Sequence, residues 1–137
     1  MDIIDAEGLI VGRLSSVVAK RLLDGGNVVI VNADKAIIIG RKDNIIQRYK
    51  AKYERGSIRK GPFFPRMPDR ILRRTVRGML PMKSSHGKMA YKNLMVYIGV
   101  PKEYADGKKI VIEEAKNEKV KGFITLKEIS KQLGAKL

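Results

Sequence analysis

Gly12-Arg13-Leu14-Ser15-Ser16-Val17-Val18-Ala19-Lys20-Arg21-Leu22-Leu23, followed after Gly25-Gly26 by the apolar run Val28 to Val31, is the stretch on which the fold turns. Leu14, Val17, Val18 and Leu22 recur at helical spacing and share one face, and glycine takes the left-handed conformation that stops a helix at low cost. Upstream, Ile3-Ile4 predicts a short strand and Asp5-Ala6-Glu7-Gly8 a turn. Downstream, Val28 to Val31 and Ala36 to Ile39 are β-branched runs of the kind that fill buried strands. Strand, helix and strand in so short a space predict a parallel α/β unit.

Further along, Arg41 to Glu54 predicts a helix with Ile45, Ile46, Tyr49 and Tyr53 on one side and Arg41, Arg48, Lys52 and Arg55 on another. From Arg55 to Pro68 glycine and proline are too frequent for regular structure, and loops of that length are commonly functional or disordered. Asp69 is placed to cap a helix over Arg70 to Met79, closed by Gly78 and Pro81. A short basic helix is expected within Lys83 to Lys92, then strands at Leu94 to Ile98 and Ile110 to Ile112. A last helix starts at Thr125, with Thr125-Leu126-Lys127-Glu128 as capping box and Gly134 as stop.

Charge is concentrated in one part of the chain. The 137 residues carry a formal net charge of +15, and sixteen of the 29 lysines and arginines lie between Arg41 and Lys92 against three acids, Asp43, Glu54 and Asp69, a segment net of +13. The flanks, with 13 basic and 11 acidic residues, have an ordinary balance. A polyanionic partner is the physical implication, because each cation set against a phosphate releases condensed counterions. Tryptophan is absent and aromatics make up 6% of the chain, which disfavours an anionic membrane as that partner. Acids at Asp2 and Asp5 stand where a signal peptide would be positive, and no apolar run approaches a membrane span of about 20 residues. The expectation is therefore one intracellular soluble domain over 1–137, with 41–92 facing the polyanion.

Arg70, Arg73, Arg74 and Arg77 form the sharpest motif. At 100° per residue they fall within about a 100° arc over about 10 Å of helix axis. Solvated helix faces usually interleave glutamate with lysine, and this one does not, so the guanidinium forks are read as phosphate ligands rather than as a wetted surface. Within the loop, Arg59, Lys60 and Arg66 flank Phe63-Phe64, where a ring can stack on an unpaired base or else pin the loop to the core; pinning is favoured for at least one ring. The helix starts at Gly12-Arg13 and Gly40-Arg41-Lys42 offer free backbone N–H groups to phosphate. Gly8 to Gly12 lacks the third glycine and the spacing of a dinucleotide-binding loop. Cysteine is absent and His86 is the sole histidine, so neither a cysteine-based zinc site nor a histidine pair is available, and no serine sits in a nucleophile elbow. These residues contain no enzyme, metal site or cofactor site.

Arg74-Thr75-Val76-Arg77-Gly78-Met79-Leu80-Pro81, then Gly87-Lys88 and Leu94-Met95-Val96-Tyr97-Ile98-Gly99, resemble the signature of large-subunit ribosomal protein thirteen, the L-thirteen family. Asp5-Ala6, Gly12 to Ser16, Val28 to Asn32 and Gly40-Arg41-Lys42 agree with it, and Arg70 with Arg73 to Pro81 after Gly61-Pro62 resembles its archaeal and eukaryotic branch, an archaeal-type ribosome being preferred. The resemblance implies an α/β fold, three-layer α/β/α with a four-stranded parallel sheet, plus a basic loop-and-helix insertion. It implies a structural constituent of the cytoplasmic large ribosomal subunit that binds large-subunit rRNA, supports early assembly and translation, and touches neighbouring large-subunit ribosomal proteins, with no small-molecule substrate and no membrane. The RNA-binding set it implies is Arg41, Lys42, Arg48, Lys52, Arg55, Arg59, Lys60, Phe63, Arg66, Arg70, Arg73, Arg74, Arg77, Lys83, His86 and Lys88. Two other classes remain from the residues alone. A Rossmann-like nucleotide enzyme needs polar catalytic groups at the carboxyl ends of the strands, where arginines are found instead. A DNA-binding protein would prefer duplex DNA to structured rRNA at matched salt.

Overall fold

The computed structural model describes residues 1–56, 59, 61, 63–117 and 122–136. Strand β1 (Asp2–Asp5) leads through helix α1 (Val11–Leu23) to β2 (Val28–Val31), and the two strands pair in parallel with Ile4 opposite Ile30. Parallel neighbours need a crossover connection, and α1 supplies it. Leu14, Val18 and Leu22 are fully or almost fully buried on its inner face, and Gly25 at φ 93° ends it as the sequence requires.

After α1 and β2 come β3 (Ile37–Ile39), helices α2 (Lys42–Glu54), α3 (Pro68–Arg77) and α4 (Ser85–Lys92), β4 (Leu94–Val96), β5 (Lys109–Ile110), β6 (Phe123–Thr125) and α5 (Leu126–Gln132). The main sheet has strand order β4-β2-β1-β5 and is parallel throughout. Helices flank it in the expected three-layer α/β/α arrangement. All four β2 residues are buried, as an interior strand covered on both faces demands. Ile4, Ile30 and Val96 align across three strands on the face that packs into the core with α1, α3 and α4.

The membership of the sheet differs from expectation. Ala36 to Ile39 does not join it: β3 pairs antiparallel with β6 in a separate two-stranded ribbon, Ile38 opposite Ile124. The fourth parallel strand is β5, pairing with β1. An apolar run reports that a segment is buried but not which neighbour buries it, and β6 is too short to show a period.

The helix starting at Thr125 forms as predicted: the Thr125 hydroxyl accepts the Glu128 backbone N–H at 3.3 Å, and Gly134 lies at φ 91°. Asp69 is not the cap of α3. Met67 holds the N-cap position, Pro68 opens the helix and Asp69 sits in its first turn; proline is favoured there because its missing N–H would be unpaired anyway. Helix α3 also ends at Arg77, two residues short of the expected Met79.

Candidate nucleic-acid interface

Three amphipathic helices carry the basic segment, each fixed by its apolar side. Ile45 and Tyr49 bury the inner face of α2, Ile71, Leu72 and Val76 that of α3, and Gly87 and Ala90 that of α4. Burying one isoleucine, leucine or valine of α2 or α3 contributes about 1.5–3 kcal/mol, so these contacts decide which way the cations of those helices point. Arg41, Lys42, Arg48, Lys52, Arg55, Arg59, Arg66, Arg70, Arg74, Arg77, Lys83, His86 and Lys88 are all exposed, and Arg73 is half-buried. Lys60 lies outside the described residues.

Aromatic rings connect these cations across the elements. Phe64 packs against the core with its centroid 5.9 Å from the Tyr49 ring. Lys52 Nζ of α2 lies 5.6 Å from the same ring and 5.0 Å from that of Tyr49, and the Arg74 guanidinium of α3 approaches Phe64 at 5.8 Å. Arg74 Nη2 also donates to the Phe63 carbonyl at 3.1 Å. The Arg73 guanidinium, also on α3, stacks on Tyr91 of α4 at 4.5 Å. Cation–π contacts of this kind contribute about 0.5–1 kcal/mol at exposed sites, and here they tie charges of α2 and α3 to rings of α2, the loop and α4. Burial pushes the Tyr49 hydroxyl pKa up, with the Arg48 charge opposing it, so the ring in this basic setting stays neutral at physiological pH.

The adjacent phenylalanines take opposite roles. Phe64 pins the loop, whereas Phe63 is 63% exposed. Acids do little to neutralise the surface. Among the described residues the ion pairs are Arg21–Asp2, Lys116–Glu113 and Lys42–Glu128, so Lys42, at 3.6 Å from Glu128 of α5, is the one predicted RNA ligand with an acidic partner. Arg77, Lys83, His86 and Lys88 are not joined to the ring-linked group.

Tyr91 is not among the RNA-binding residues that the sequence implied. It packs, and it also supports Arg73; eighteen residues of separation leave no local signal for that pairing. Pro65, Arg70, Arg73, Arg74 and Tyr91 together line a cavity of about 410 Å³.

Fold and surface define a class: a parallel α/β protein whose helices display exposed guanidinium and ammonium groups over one segment of the chain. Comparison with known proteins takes this further. The family Ribosomal protein L13 matches residues 1–103. Large ribosomal subunit protein uL13 of Archaeoglobus fulgidus is 55% identical over 135 residues, covering 96% of this chain and 86% of that protein. The proteins of the same name from Picrophilus torridus and Methanosphaera stadtmanae are 53% and 49% identical, covering 96% and 98% of this chain and 95% and 97% of theirs. The chain belongs to the ribosomal protein L13 family, a family of ribosomal structural proteins and not of enzymes.

Proposed function

We propose that this chain is a structural component of the cytoplasmic large ribosomal subunit that binds large-subunit rRNA through α2, the loop from Arg55 to Arg66, α3 and α4. In this role it supports subunit assembly and contacts neighbouring ribosomal proteins. The observation that carries the proposal is the ring-linked group of Lys52, Arg73 and Arg74, held in place before any ligand arrives and in no ion pair among the described residues. Prealigned cations repel one another in the free protein, and a phosphate backbone removes that repulsion while releasing counterions. Specificity would come from RNA shape, since the A-form major groove is too narrow for side-chain readout.

The test is affinity for an archaeal large-subunit rRNA transcript, with duplex DNA as competitor at matched salt. Arg73→Glu combined with Arg77→Glu is expected to leave the circular dichroism spectrum intact while weakening rRNA binding by about 3–6 kcal/mol, at about 1.5–3 kcal/mol per charge-assisted contact. Unchanged affinity would remove α3 from the interface, and preference for DNA would overturn the ribosomal assignment.

A further inference from the structure

We infer that the cavity lined by Pro65, Arg70, Arg73, Arg74 and Tyr91 is a socket for a single RNA backbone phosphate, with Arg73 as its orienting ligand. The inference rests on the rRNA-binding function proposed above and goes beyond it by singling out one point on a broad cationic surface. Arg70, Arg73 and Arg74 line the space together with Pro65 and Tyr91.

Arg73 differs from the other arginines of α3. Its guanidinium lies on the Tyr91 ring at 4.5 Å, and its Nε is shut from solvent without a hydrogen-bond partner. Asp69, one turn earlier, makes no ion pair with it, although one carboxylate oxygen of Asp69 is itself buried and unpaired. With Nε enclosed, the Nη groups of Arg73 are the donors open to a phosphate oxygen, and the stacked, planar guanidinium holds them in a fixed direction. Arg74, held by its bond to the Phe63 carbonyl, and Arg70 then supply the remaining positive charge. One face of Tyr91 is covered by Arg73, which favours a phosphate in the space over a base stacked on that face. Arg77 lies on the same helix but does not line the cavity.

Lysine keeps the charge of arginine and loses both the fork and the plane that stacks, so charge-conserving variants separate a built socket from general attraction. For wild-type protein and the rRNA transcript, Arg73→Lys is expected to lower affinity about tenfold or more, the equivalent of one lost charge-assisted hydrogen bond, and Arg77→Lys clearly less. Tyr91→Leu, which keeps every charge and removes the shelf, is expected to lose affinity in the same direction as Arg73→Lys, with circular dichroism reporting that both variants fold. In ethylation interference, one rRNA phosphate whose modification blocks the wild-type protein should become indifferent in Arg73→Lys. Equal losses at Arg73 and Arg77, or an unchanged interference pattern, overturn the socket while leaving general rRNA binding in place. Failure of the wild-type protein to bind rRNA overturns both.

Discussion

Phe63 and Phe64 are neighbours of identical chemistry in a loop without regular structure, and only contacts from distant elements separate their roles. Tyr49 and Arg74 reach Phe64 and fix it against the core, which leaves Phe63 outward. Gly87 shows the same dependence on a neighbour. A Cβ built there would lie 2.0 Å from the Pro81 carbonyl oxygen and 2.4 Å from its carbon, and both are backbone atoms that cannot swing aside. The glycine lets the first turn of α4 seat on the turn before it, where the Ser84 hydroxyl also accepts the Gly87 N–H at 3.2 Å. Gly87→Ala is therefore expected to destabilise the protein by about 1–3 kcal/mol, as overpacking does. Urea denaturation should show a lower midpoint with an unchanged slope, since the surface exposed on unfolding is the same. A midpoint equal to that of the wild type would refute the close approach.

At the scale of elements, the Thr125 hydroxyl caps the N-terminus of α5, the helix packed against α3 and α2. Removing such a cap costs about 1 kcal/mol. Thr125→Ala should lower the melting temperature by about 3–5 °C for a chain of this size, and Thr125→Ser should restore most of the loss. No recovery with serine would mean that the methyl packing of Thr125, rather than its oxygen, supports the helix. That cap was legible in the sequence, as were α1, its glycine stop and the arginine stripe of α3, because each is encoded within a few residues of itself. Pairing is not encoded that way. Ile37–Ile39 carries the composition of a core strand, yet Phe123–Thr125, more than eighty residues away, draws it out of the parallel sheet. The candidate site divides along the same line. The outward cations could be read from helical spacing, whereas Tyr91 under Arg73 and Phe64 between Lys52 and Arg74 arise from tertiary contacts across α2, α3 and α4.

For the whole molecule, a segment net of +13 within a total of +15 means that one segment does nearly all the attracting, while the near-neutral flanks supply every strand of the sheet and its ribbon. Such a distribution steers a polyanion toward one region and lowers the chance of unproductive docking elsewhere. It also sets how binding must respond to salt. If α2, the loop and α3 contact phosphates together, the logarithm of the rRNA association constant should fall linearly with the logarithm of salt concentration, at about 0.7–0.9 per phosphate neutralised. A surface making 6–10 such contacts would then lose about 10³–10⁵ in affinity between 50 and 200 mM salt. Arg48→Ala with Arg55→Ala, both exposed and neither lining the Arg73 cavity, should flatten the slope by about 1.4–1.8 while the fold is kept, because each removes one counterion-releasing contact. An unaltered slope in that variant would confine the interface to α3 and α4. A wild-type slope near one would show that the cations of 41–92 serve some purpose other than neutralising an RNA backbone.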